Sequence, residues 1–394
     1  MESILLKDII QKPISGEWGL EDLYGTGIPV LRTANFTNEG IINFENVVTR
    51  NISPPKLKGK LLQKGDILLE KSGGSDRQPV GRVVYFDGQA DKYGFNNFTS
   101  ALRISDLTMW NPKYIFYALY ANYHHGGTRK YENKTTGLHN LKVDLFIRSF
   151  SVPYATLIKQ NEIVKKLDLL NHLENVCEVQ LQKLDELIKS RFLEMFGNKE
   201  YSICQLSDQC EIITKGTTPT TIGYNFTTDG VRFIKIENIT EEGKFDTAKM
   251  MHISDECNMI MKRSQLKSGD LLFSIAGAIG RCAVVTNDIL PANINQALAI
   301  IRLRKDAQLS RNFLFAVLKS SYVEKQYKGL RRGGAQLNLS LKDIGNFKIL
   351  LPPESEQENF IDLYKQVDKS KMAVQKSLDE LETLKKSLMQ TYFG

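Results

Sequence analysis

Three groups of residues in this sequence have types and spacings that could do chemistry. Asp66 with Glu70 and Lys71 hints at the carboxylate–lysine cluster of a nuclease. Glu70 and Lys71 are adjacent, however, rather than separated by one residue, and after Asp270, in the repeat described below, Phe273 and Ser274 replace them. A strand start with Asp66 in its turn accounts for the same residues. The second group is cationic. Arg129, Lys130 and Lys134 lie among Gly126, Gly127 and Gly137, and Arg331 and Arg332 precede Gly333 and Gly334. Glycine lets a backbone approach a phosphate, and the cations displace its counterions. A solvated surface loop would have the same composition. The third group is polar: Arg32, Thr33 and Asn35; Lys235, Glu237 and Asn238; Asn97 and Thr99; Asn293, Asn295 and Gln296. Asn and Gln can bond adenine bidentately, Arg can bond guanine, and Glu can accept from cytosine. Turn chemistry also favours Asn. Lys71, Ser72, Arg77, Ser274, Arg281 and Gln336 complete the candidate DNA-binding set.

Other chemistries lack their motifs. The sequence contains no G-x-x-x-x-G-K-[ST] loop and no G-x-S-x-G elbow. The Asp/Asn-Pro-Pro-Tyr string of amino-group DNA methyltransferases is missing; its nearest approaches are Ser53 to Lys56 and Leu351 to Glu354. His124–His125 is the only histidine pair, and none of the five cysteines forms C-x-x-C, so no metal site is expected and the thiols should be reduced. No catalytic residue is assigned.

Two long helical stretches must position these groups. From Thr156 to Gly197, Ile163, Leu167, Leu170, Cys177, Leu181, Leu184 and Ile188 form an a/d seam, with Glu174 at the one skipped position. From Ser355 to Gly394, Phe360, Tyr364, Val367, Val374, Leu378 and Leu381 repeat it, with Lys371 at the skipped position. Prolines precede both, at Pro153 and at Pro352–Pro353. Ser355 with Glu358 predicts a capping box, and Thr156 with Lys159 a weaker cap. Glu174 and Lys371, opposite in charge, are expected to pair and set the register.

The two stretches match at a fixed offset of 197, so the chain is two copies of one unit, each ending in a long helix. The globular parts repeat as well. Gly65-Asp66-Ile67-Leu68 returns as Gly269-Asp270-Leu271-Leu272, and Gly81-Arg82 as Gly280-Arg281. Strands are predicted over 28–32, 66–70, 81–86 and 100–104, and a helix over 112–122. The loops between the repeated elements differ in length and content, and loops on a rigid scaffold usually carry binding. The chain of 394 residues has a net charge of +7, 42% hydrophobic and 25% charged residues, which suits a mildly basic globular protein. No apolar run is long enough to span a membrane, and Lys7 and Asp8 interrupt the start, so a cytoplasmic location is expected.

These features together resemble the specificity (S) subunits of type I restriction–modification systems. The carrying residues are the two Gly-Asp-[Ile/Leu]-Leu strings, the loop from Gln336 to Ser340, the prolines before each helix, Gln160 and Gln357 early in the helices, and the helix end Arg191 to Gly197. The first unit departs at Gly137 to Leu141, which lacks the Gln-x-Asn-Leu-Ser form. The resemblance implies an α+β fold with an internal pseudo-twofold repeat. Target recognition domains of mixed α/β structure at 1–152 and 198–352 would be separated by two long antiparallel coiled-coil helices at 153–197 and 353–394. It implies that each domain reads half of a bipartite, asymmetric site in double-stranded DNA, and that the helices set the spacing. It also implies two methyltransferase subunits bringing S-adenosylmethionine, and restriction subunits bringing ATP, Mg and cleavage, with no cofactor in this chain. A stand-alone nuclease or methyltransferase, or an RNA-binding or coiled-coil scaffold protein, are the alternatives.

Overall fold

The structure is a computed structural model that describes residues 2–76, 78–135, 138–197, 200–330 and 338–394. The long helices are Leu157–Phe196 and Glu354–Phe393, 40 residues each. Contacts divide the chain into two units, Met1–Glu178 with Lys376–Gly394, and Val179–Gln375. Each unit therefore holds one globular domain and parts of both helices.

The seam residues are buried or half-buried along both helices. Ile163, Leu167, Leu170, Phe360, Val367 and Leu378 are buried, and Cys177, Leu181, Leu184, Tyr364, Val374 and Leu381 are half-buried. In the first unit, Ile163, Val164 and Leu167 share a core with Met389, and Leu388, Tyr392 and Phe393 pack against it. Lys385 Nζ meets the Glu174 carboxylate at 2.6 Å. In the second unit, Lys371 Nζ meets Asp185 at 2.7 Å, and the Phe192 and Phe360 ring centroids are 5.5 Å apart. Rising numbers on one helix meet falling numbers on the other, so the helices pack antiparallel in both units. The expected Glu174–Lys371 pair is replaced. Each residue instead finds an opposite charge within its own unit, because a long side chain on the facing helix is already in reach.

The first helix cap follows expectation and the second differs from it. Thr156 is a working N-cap: its carbonyl accepts from Gln160 N at 2.9 Å and its hydroxyl from Lys159 N at 3.4 Å. The second helix starts one residue early, its first turn closed onto the Pro353 carbonyl by Glu356 N and Gln357 N. Ser355 thus lies inside the helix and the capping box is not formed. Glu354 and Glu356 instead place negative charge in the first turn, where the helix dipole favours it.

Each globular domain is built on an antiparallel four-stranded sheet. Its order is Ile14–Ser15, Thr99–Leu102, Ile67–Glu70, Val83–Tyr85 in the first domain. In the second it is Cys210–Lys215, Leu298–Leu303, Leu271–Ser274, Cys282–Val284. Every residue of Ile67–Glu70 and Leu271–Ser274 is buried because both faces of the sheet are covered. Ile67 and Leu69 point into the core shared with the long helix, and Leu68 into a second core with Val84 and Ala101. Leu271 and Phe273 alternate with Leu272 in the same way. A second sheet adds the parallel pair Ile28–Leu31 with Gly94–Phe95, matched by Val231–Ile234 with Ala292–Ile294.

Gln160 and Gln357 anchor the helices to these domains. Both are buried. Gln160 accepts from Asn111 N at 2.8 Å and donates to the Met109 and Ala155 carbonyls. Gln357 accepts from Ser310 N at 2.9 Å and donates to the Gln308 and Pro352 carbonyls. One side chain thus satisfies three otherwise orphaned main-chain groups in each half.

Candidate nucleic-acid interface

The carboxylates at the strand starts are structural. Asp66 is sealed by Arg103 at 2.8 and 2.7 Å and accepts from Gln63 N at 2.8 Å. Asp270 repeats this with Arg302, at 2.6 and 2.7 Å, and with Lys267 N at 2.7 Å. These bonds hold the pKa of both guanidiniums above the usual arginine value. Glu70 is clamped by Arg82 at 2.8 and 3.0 Å. Both oxygens of each of these carboxylates are taken up by an arginine, which leaves the nuclease reading of Asp66, Glu70 and Lys71 without support. By strand register, Glu70 corresponds to Ser274 and Lys71 to Ile275, one position from the sequence-based pairing.

Several polar candidates are likewise consumed by the fold. Asn35 is buried; its carbonyl oxygen accepts from Arg32 N at 2.9 Å and its amide donates to the Asn43 carbonyl at 3.0 Å. Asn238 does the same with Lys235 N and the Asp246 carbonyl. Thr99 is buried and donates to the Asn96 carbonyl. Asn293 is buried and donates to Asn258 and to the Met261 carbonyl. Ser274 is buried, accepting from Arg281 N and donating to the Ala278 carbonyl. The Arg281 guanidinium donates to the Ile236 and Ile239 carbonyls. All six of these candidate DNA-binding side chains are engaged in closing loops. Tight turns leave main-chain groups without partners, and a nearby amide, hydroxyl or guanidinium satisfies them most cheaply.

Other candidates stay accessible. Arg129, Lys130, Glu237, Asn97 and Gln296 are exposed, and Arg32, Thr33, Lys71, Ser72, Lys235 and Asn295 are half-buried. Arg32 donates to the Asn46 carbonyl at 3.3 Å, and its Nε is buried without a partner among the described residues. The Lys235 ammonium lies 4.9 Å from the Phe226 ring centroid. Ser72 donates to Asn140 at 2.5 Å, and Asn295 accepts from Ala297 N at 3.2 Å. Lys71 donates to the Ser15 hydroxyl at 2.8 Å; burial and the Lys60 charge lower its pKa. The Lys134 backbone pairs with His139. Arg77, Arg331, Arg332 and Gln336 lie outside the described residues.

The same three loops come together in each half. In the first, Glu17 N bonds the Phe95 carbonyl and Lys71 N the Phe98 carbonyl, tying 16–18, 71–74 and 96–98 into one platform. Gly16 makes the crossing possible, since a Cβ there would lie 2.2 Å from the Phe95 oxygen. In the second, a Cβ on Gly216 would lie 1.8 Å from the Ile294 oxygen, and Ile275 N bonds the Ala297 carbonyl. Thr218 bonds Gln296 across two of these loops. Gly16, Gly216 and Thr218 escaped the sequence reading. Their signal was a glycine just past the first strand of each antiparallel four-stranded sheet.

Residues 198–383 match the family model described as the type I restriction modification DNA specificity domain. The match takes in the second globular part and most of the helix that follows it. Relatives of the chain include the Type I restriction enzyme EcoBI specificity subunit of Escherichia coli, 29% identical over 170 residues, a match covering 42% of this chain and only 35% of that subunit. The putative type I restriction enzyme MjaX specificity subunit of Methanocaldococcus jannaschii is 21% identical over 406 residues, covering 98% of this chain and 90% of that one. Among solved structures, a chain of a type I R-M system superimposes with a TM-score of 0.59 at 18% identity, covering 100% of this chain and 97% of that one. The type I S subunit from M. genitalium gives 0.57 at 14% identity, covering 100% and 96%. The fold of these two structures is thus present along the whole chain. Among the described residues, no helix is long and apolar enough to cross a membrane, and no cluster of three His, Cys, Asp or Glu side chains could hold a metal.

Proposed function

We propose that this chain is the sequence-reading subunit of a cytoplasmic type I restriction–modification complex, each globular domain reading one half of a bipartite, asymmetric site in double-stranded DNA. One observation carries this: two domains share a frame of buried ion pairs and loop-closing amides, yet present different exposed side chains from equivalent loops. The family-model match over residues 198–383 and the fold shared with the solved structures support it. The chain supplies recognition and no catalytic group. Two methyltransferase subunits, docked on the long helices, bring S-adenosylmethionine; restriction subunits bring ATP and Mg. Each 40-residue helix is about 60 Å long at ~1.5 Å per residue. That length suits half-sites spaced on the order of one to two turns of duplex, with the helices setting the unread spacer. The cations Arg129, Lys130, Arg331 and Arg332 meet phosphates and position the complex.

The test is methylome sequencing of a host expressing the chain with its methyltransferase subunit. A two-part methylated motif with an unread spacer is expected. Replacing residues 1–152 with the corresponding domain of another family member should then change one half of the motif only. No motif, or a change in both halves, overturns the reading.

A further inference from the structure

The two platforms can be aligned residue by residue through their sheets. Thr99 pairs Glu70 as Leu298 pairs Ser274. Asn96 N bonds the Leu31 carbonyl as Asn295 N bonds the Ile234 carbonyl, at 2.9 and 3.2 Å. Each turn is closed behind its tip, by Thr99 N on the Asn96 carbonyl and by Leu298 N on the Asn295 carbonyl. Between these fixed points stand two tip residues, Asn97 and Phe98 in one half, Gln296 and Ala297 in the other.

The buried amides of Asn35, Asn238 and Asn293 are bonded to main chain. The tip amides are not. Asn97 is exposed and makes no hydrogen bond among the described residues. Gln296 is exposed; its carbonyl oxygen accepts from Thr218, which orients the side chain and leaves the NH2 and a second lone pair free. A lysine flanks each tip, but from different loops. Lys71 approaches in the first half, held by Ser15 at 2.8 Å, while Lys215 occupies the place of Ser15 in the second. A carboxamide held at the apex of a rigid turn, beside a cation that can take a phosphate, suits the edge of a base. Of the four bases, adenine matches both ends of the carboxamide in the major groove, accepting at N7 and donating from N6.

We propose that Asn97 and Gln296 are equivalent specificity-determining residues, each reading one adenine in its own half-site. This rests on the DNA-recognition reading above and deepens it. The pair differs by one methylene on a common frame, so the two halves reach to different depths from the same turn.

The experiment is selection of a randomised duplex library by the full chain, assembled with its methyltransferase subunits, at two salt concentrations. Asn97→Ala should lose preference at a single A·T pair of the first half-site, with discrimination there falling about 5- to 150-fold and the salt slope unchanged. Gln296→Ala should do the same in the second half-site. Asn97→Asp keeps the size of the side chain and removes the donor to N7, so it should lose the same preference while leaving the melting temperature alone. Weakening that is uniform across sequences with a flatter salt slope would make the amides phosphate ligands and overturn the proposal. An unaltered motif, or loss at a G·C pair, overturns it too. A wild-type chain that enriches no motif sinks the recognition reading itself.

Discussion

The first domain holds Arg82 against a carboxylate; the second holds Arg281 without one. In the first, Glu70 takes the guanidinium at 2.8 and 3.0 Å while the Phe36 and Thr33 carbonyls accept two more of its protons. In the second, Ser274 stands at Glu70's place and bonds main chain instead, and the Ile236 and Ile239 carbonyls hold the arginine alone. What both copies keep is arginine closing a loop through main-chain carbonyls, whose position the backbone dictates. What changes is the side-chain partner, which can be exchanged as long as the buried polar groups remain satisfied. A second contrast lies under the long helices. Tyr117 is buried and donates to Asp168 at 2.5 Å, and burial, before that bond, pushes its pKa upward. Ala316 takes its place in the second domain and borders a cavity of about 280 Å³ beside Phe192, Lys319 and Tyr364. The repeat thus keeps its strand-start ion pair in both halves, while the side chain under the helix is present in one half only.

The strongest test of this comparison removes what both halves share. Asp66→Ala and Asp270→Ala each strand a guanidinium beside a buried site and should each cost about 3–5 kcal/mol in urea unfolding. Unequal costs would break the equivalence of the frames. Tyr117→Ala should recreate in the first domain the gap that the second tolerates, at about 3 kcal/mol. A negligible loss would mean the tyrosine is decorative. Exchanging the variable partner should separate the halves: Glu70→Ala is expected to cost about 2–3 kcal/mol by freeing a charged hydrogen bond, and Ser274→Ala only about 1. The helix pairs give the smallest effect. A double-mutant cycle of Glu174 with Lys385, whose side chains are 14% and 18% exposed, should show coupling of about 1 kcal/mol or more. The more exposed Asp185–Lys371 pair should show about half that. Strictly additive losses at Glu174 and Lys385 would remove that pair as a register device.

Much of the scaffold was legible. The long helices begin and end within a residue of expectation, and the predicted strands over 28–32 and 66–70 appear as Ile28–Leu31 and Ile67–Glu70. The candidate site was legible only as neighbourhoods. Asn35 and Asn97 looked alike in sequence, yet one is buried in a turn and the other stands free at a tip. Gln160 and Gln357 drew attention as shared features of a family, but their anchoring role needed the main-chain groups of segments roughly 50 residues away in sequence. Glu174 offered a charge on an apolar seam, and nothing in one dimension said which lysine would reach it.

The sequence by itself determined the duplication, the seam of each helix, the alternation of apolar residues in the strands, and the places where the two copies part company. These are matters of period and offset, which a linear string carries in full. Only the tertiary structure decided which polar side chains are spent and which remain for a partner. That outcome turns on whether a loop closes with its own main-chain groups satisfied or recruits a side chain to satisfy them. Such closure brings together atoms that the string holds far apart.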